Sequence, residues 1–174
     1  MNQGEIDAFW RDAQIRGRLN PAGAYLGRNI AETLPPPAWS FSHTPEEADH
    51  LLALVLSGVK TATSSRRSDY DTDDESLPEP GALSILLDGR GHPRALIRTT
   101  AVSVVPFEDV DEGHAEAEGE GSRTLSAWRS AHRTFFHPGR PDDPFDPRML
   151  VVLERFTVLV ARPPATESSP VPVE

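Results

Sequence analysis

Lys60 is the chain's only lysine among seventeen basic side chains. Arginine would supply the same charge, but only an amine can shed its proton when desolvated and act as base or nucleophile. It stands in the stretch Ser57-Gly58-Val59-Lys60-Thr61-Ala62-Thr63, which brings two hydroxyls close to it along the chain. A second group with chemical reach is His114-Ala115-Glu116-Ala117-Glu118. On a helix His114 and Glu118 lie four apart and share a face, while Glu116 projects away. An amine, hydroxyls, an imidazole and a carboxylate are the parts from which proton transfer and hydrolysis are built. The plain alternatives are a stray lysine in an arginine-rich chain and a surface helix of solvated acids.

Most common enzyme signatures are absent. There is no cysteine, which excludes disulfides, thiolate metal sites and cysteine nucleophiles. The six histidines show no HExxH spacing, and neither a GxSxG elbow nor a Walker loop occurs. Gly119-Glu120-Gly121 is too short to cradle phosphate, and its acidic surroundings repel it. Asp69, Asp71 and Asp73 mimic the start of a calcium loop. The sixth position is Asp74 rather than glycine, and the twelfth is Pro80 rather than glutamate. No metal and no cofactor are expected.

The net charge of -10 argues against broad duplex DNA binding, which needs a basic surface to displace counterions. The N-terminus is polar, and no stretch approaches the roughly 20 apolar residues that span a bilayer. The expected compartment is the cytoplasm, without membrane partners. Oligomeric state is not legible.

The elements that must position these groups follow from periodicity. Ile6, Phe9, Trp10 and Ala13 recur at helical spacing, which predicts a helix from Ile6 to about Leu19. A loop-like stretch closing with Pro35-Pro36-Pro37 comes next. Thr44-Pro45-Glu46-Glu47 has a capping-box pattern before the apolar stripe of Ala48, Leu51, Leu52, Val55 and Leu56, and Gly58 suits the helix end. "KTATSS" is then a strand, Asp69 to Pro80 an acidic loop, and Gly81 to Leu87 a strand. Asp88-Gly89-Arg90-Gly91 is a turn, and Arg94 to Val105 is one long or two short strands. Asp111 to Glu118 and Thr124 to Phe136 are helices, Met149 to Val160 is a closing strand, and the Pro- and Ser-rich tail is expected to be disordered. Strand and helix do not alternate regularly, so a doubly wound parallel sheet is disfavoured. An α+β fold with a small mixed barrel and outer helices fits better.

The stretches "PEEADHLLALVLSGVKTAT", "GALSILLDGRG", "VPFEDVDEGHAEAEGEGSRTLSAWRSAH" and "VVLERFTVL" resemble the ASCH domain family, in particular its longer bacterial members. The resemblance implies a PUA-like small mixed β-barrel flanked by helices, with a cleft at its mouth. It divides the chain into an N-terminal helix and Pro-rich extension (1–40), an ASCH domain (41–160) and a tail (161–174). Some small members are amidohydrolases that remove the acyl group from N4-acetylcytidine. Their Lys-Thr-x-Thr and His-Ala-Glu-x-Glu motifs match Lys60-Thr61-Ala62-Thr63 and His114-Ala115-Glu116-Ala117-Glu118. The resemblance thereby implies Lys60, Thr63 and Glu118 as the catalytic set. Thr61, Arg66, His114 and Arg123 are the candidate substrate-binding residues. This chain departs from the small members where an arginine would follow the second threonine by two places: Ser65 stands there, and Arg66 comes one later.

The implied function is amide hydrolysis of an N-acylated pyrimidine nucleoside. The alternatives are a single-strand-specific endoribonuclease and a non-catalytic module for RNA or modified nucleosides, with Tyr70 and Trp128 as stacking candidates. The partner in each case is a modified nucleoside or single-stranded RNA. In the hydrolase reading Thr63 supplies the hydroxyl and Lys60 the base, while Glu118 protonates the leaving nitrogen or orients water. Geometry constrains this scheme. On a flat strand Lys60 and Thr63 face opposite sides, so they converge only if the chain bends near Gly58.

Overall fold

The computed structural model describes residues 3–17, 19, 34–72, 76–137 and 145–162. In chain order it contains α1 (Gln3–Arg16), β1 (Ala38–Trp39), α2 (Pro45–Leu56), β2 (Ala62–Arg66), α3 (Asp69–Thr72), β3 (Leu83–Leu87) and β4 (Pro93–Pro106). A 3-10 turn (Phe107–Asp109), α4 (Glu112–Glu118), α5 (Leu125–Phe136) and β5 (Leu150–Ala161) complete it. The strands form one mixed sheet in the order β1-β3-β4-β5-β2, in which only β1 and β3 run parallel. This is the expected α+β architecture. The expected disordered tail beyond Arg162 lies outside the described residues.

The core explains the arrangement. Ile6, Phe9, Trp10 and Ala13 of α1 pack on Ile85, Leu87, Leu96 and Val160. Neighbouring β3 side chains point to opposite faces, so Leu86 turns the other way, toward Leu52 and Val55 of α2 with Ala95, Ile97 and Phe156. A third cluster joins Val151 and Leu153 of β5 to Phe107, Val110, Ala115, Trp128 and Phe136. Helices therefore bury apolar stripes on both faces of the sheet.

Several local expectations change. Thr44 is the N-cap of α2 and Pro45 its first residue, but the Thr44 hydroxyl caps no backbone amide. Ser42 stands in between: its hydroxyl donates to Glu47 at 2.9 Å and accepts from the Thr44 N–H at 3.3 Å. The acidic segment is not all loop, because Asp69–Thr72 forms a helical turn. Its carboxylates answer arginines, Asp69 with Arg66 at 2.8 Å and Asp71 with Arg67 at 2.6 Å. Asp73 and Asp74 lie outside the described residues. Arg94 to Val105 belongs to a single strand, β4, with two irregularities. One, between Thr99 and Ala101, leaves Thr100 as an extra residue against β5.

Candidate functional site

The chain leaves α2 through Gly58, whose φ of 77° is a left-handed conformation that glycine adopts without strain. The Val59 and Lys60 N–H groups both donate to the Leu54 carbonyl, at 2.9 and 3.0 Å. Lys60 thus precedes β2 and escapes the strand's alternation. Thr61 is wedged between two elements: its N–H donates to Ala117 of α4 at 2.8 Å, and its carbonyl accepts from Phe156 of β5 at 3.0 Å. The Lys60 side chain is 1% exposed.

On the facing element, Asp111 caps α4 by accepting the His114 N–H at 2.7 Å, and Gly119 ends it with φ of 73°. A Cβ on Gly119 would sit 2.7 Å from the Val59 carbonyl oxygen. Only glycine lets α4 approach the Lys60 segment this closely. That approach sets Glu118 Oε2 at 3.6 Å and Glu120 Oε1 at 2.5 Å from Lys60 Nζ, and the ammonium also lies over the Phe41 ring at 5.1 Å.

Glu118 is the hub. Its Oε1 accepts from the Ser64 hydroxyl at 2.5 Å and the Trp128 indole N–H at 2.8 Å, and lies 3.1 Å from His114 Nε2. Its Oε2 faces His132 Nε2 at 3.4 Å. His132 stacks on Trp128 with ring centroids 4.2 Å apart. Burial pushes the Glu118 carboxyl up. Hydrogen bonds from His114 and His132, with the Lys60 charge, outweigh burial and hold it well below the usual carboxylate range. Glu118 is thereby kept ionised and 1% exposed. It is suited to orienting Lys60 and not to donating a proton.

Ser64, His114 and Glu118 do not form a relay of the serine-hydrolase type. The same imidazole nitrogen, Nε2, meets both Ser64 at 3.0 Å and Glu118, whereas a relay uses one nitrogen for each. Of the two carboxylates on Lys60, Glu118 is sealed and Glu120 is part-exposed, its side chain 34% accessible.

Of the residues singled out in the sequence, Lys60, Glu118 and His114 come together. Thr63 does not join them. It faces the opposite side of β2 from Ala62 and Ser64, and its hydroxyl makes no hydrogen bond to a described residue. Thr61 donates its hydroxyl to the Ala117 carbonyl at 3.3 Å. Arg66 reaches Asp69 and the Phe136 carbonyl. Arg123, at φ of 59°, folds back on Glu116. Tyr70 is tied to Ser65 at 2.9 Å.

Sequence reasoning missed Ser64, Glu120, His132 and Arg155. Ser64 was legible in principle, two places beyond Ala62 on the same strand face. Arg155, half-buried opposite Ala62 and near Gly113, has no carboxylate partner among the described residues.

A family model described as the ASCH domain matches residues 37–160. The chain is 33% identical to protein EF3133 from Enterococcus faecalis V583, with a TM-score of 0.73 over 90% of this chain and 89% of that one. It is 30% identical to an ASCH domain from Lactobacillus crispatus JV V101, with a TM-score of 0.67 over 86% of this chain and 94% of that one. No curated protein matches the chain.

Proposed function

The chain belongs to the ASCH domain family, of PUA-like fold and generally associated with RNA, and on that premise we propose that it hydrolyses the amide of an N-acylated pyrimidine nucleoside such as N4-acetylcytidine. The observation that carries this reading is the enclosure of the single lysine against Glu118, at the head of the strand that bears Thr63. Burial keeps this amine away from bulk water, and among the lysine and arginine side chains of the sequence it alone is able both to give up and to take back a proton.

In this scheme the Lys60 ammonium first gives its proton to the Glu120 carboxylate it contacts, and the Thr63 hydroxyl then attacks the acyl carbon and passes its own proton to the freed Lys60 amine. Lys60 returns the proton to the leaving nitrogen, and water then releases the acyl group. Glu118 fixes Lys60 and takes no proton itself. The scheme requires Lys60 to leave Glu120 and turn toward Thr63 when substrate enters.

The test is incubation with N4-acetylcytidine and mass detection of cytidine and acetate. Lys60→Arg and Thr63→Val should each abolish product while thermal melts stay cooperative, since Arg keeps the charge but holds its proton. Undiminished turnover in Lys60→Arg would end the proton-transfer reading.

A second reading, a non-catalytic module for RNA or modified nucleosides, draws on one observation. Glu118 already engages Ser64, His114, Trp128, His132 and Lys60, and Thr63 stands apart from them. Nucleoside binding without product, unchanged in Lys60→Arg, would favour it.

A further inference from the structure

The face of β2 that carries Thr63 holds a polar group of its own. Thr63 lies directly opposite Glu154 on β5, and Glu154 lies opposite Val102 on β4. The extra residue Thr100 shifts the β4 register, so that Thr99 and Val102, three apart, both fall on this face. The Thr99 hydroxyl donates to Glu154 Oε1 at 2.5 Å. Thr99 is buried, and the wall around it is apolar, with Val152 and Phe156 as the β5 neighbours of Glu154 on that face. Glu154 is half-buried and has no cation as partner among the described residues. Its second oxygen and the Thr63 hydroxyl are the hydrogen-bonding atoms left over.

We propose that Glu154, backed by Thr99 and beside Thr63, selects the ligand by pairing its carboxyl with a nucleobase edge that carries a donor next to an acceptor, as the cytosine edge does. This deepens the nucleoside reading above and rests on it. A protonated carboxyl offers one O–H donor and one carbonyl acceptor side by side. Its O–H meets the ring nitrogen of cytosine while its carbonyl accepts from the exocyclic N–H. A carboxylate would set its lone pairs against that ring nitrogen, so where the free Glu154 is ionised the pairing takes up one proton from solvent as the base binds. Burial pushes the Glu154 carboxyl up, and the hydrogen bond from Thr99 offsets this only in part. Val102 supplies an apolar flank.

The experiment is calorimetric titration with N4-acetylcytidine, cytidine and 3-methylcytidine, whose ring nitrogen is blocked, on wild type, Glu154→Gln and Glu154→Leu. Gln preserves a donor next to an acceptor without charge. Its affinity for N4-acetylcytidine should stay within about threefold of wild type, whereas Leu should lose about tenfold or more. 3-Methylcytidine should not bind. Melts separate lost affinity from lost fold. Should Leu fail to fold, Thr99→Val, which removes only the backing hydroxyl, should still weaken binding of N4-acetylcytidine by a few-fold.

Wild-type affinity in Glu154→Leu, equal losses in Gln and Leu, or no nucleoside binding by wild type would each overturn the inference. The two readings fail separately. Glu154-dependent binding without product retires the hydrolase and leaves the selector. Turnover in Glu154→Leu with unchanged KM does the reverse.

Discussion

Glu118 and Glu154 are the same side chain in two environments, and their pH behaviour should have opposite sign. The folded chain holds Glu118 below its ordinary value, so in acid the unfolded chain takes up the proton first. Its stabilisation is complete above about pH 4.5 and is lost as pH falls toward its folded-state value. Glu154 is held above 4.5, so folding favours its protonated form. Its destabilising effect is absent below about pH 4.5 and sets in as pH rises through its folded-state value. Glu118→Gln should therefore flatten the acid limb of stability against pH. Glu154→Gln should raise stability at pH 7 and leave it unchanged near pH 4. Urea denaturation from pH 2 to 8 on both variants reads both signs, and a shared sign would contradict the two environments.

At the scale of elements, the site exists because α4 is drawn against the entry to β2. The contact runs through Thr61, Ala117 and the bare backbone of Gly119. Gly119→Ala places a methyl group on the Val59 carbonyl at a left-handed φ. It should cost about 2–4 kcal/mol by denaturant unfolding, because α4 must withdraw from the Lys60 segment. Ser64→Ala removes one hydrogen bond to the buried Glu118 and should cost about 1.5–3 kcal/mol. Neutral stability in Gly119→Ala would mean that the close approach is not needed.

At the scale of the molecule, the N-terminal helix is part of the core. Phe9 is fully buried among sheet residues, and Phe9→Ala should cost about 3–5 kcal/mol. The net charge of -10 makes a second molecular-scale prediction. An uncharged nucleoside releases no counterions, so its affinity should change less than about twofold between 50 and 200 mM salt. A steep salt slope in the same titration would point instead to phosphate contacts as the source of binding.

What the sequence determined by itself was local. The helix from Pro45, the left-handed exit at Gly58, and the shared face of His114 and Glu118 follow from short-range spacing, and all three stand in the structure. The oddity of a single lysine marked a position that is buried against a carboxylate. The partners of that carboxylate were not legible. Whether Ser64 or Thr63 faces Glu118 depends on where β2 begins, because a strand's side chains alternate and a shift of one residue exchanges the faces. That starting point is set by Phe156 and Ala117 gripping Thr61, contacts made across 56 residues or more of sequence. The Thr99–Glu154 pair likewise depends on an extra residue at Thr100, and only the register against β5 reveals it. Short-range periodicity decides which faces an element has. Long-range pairing decides which of those faces meet, and with them which carboxylate is sealed and which stays part-exposed.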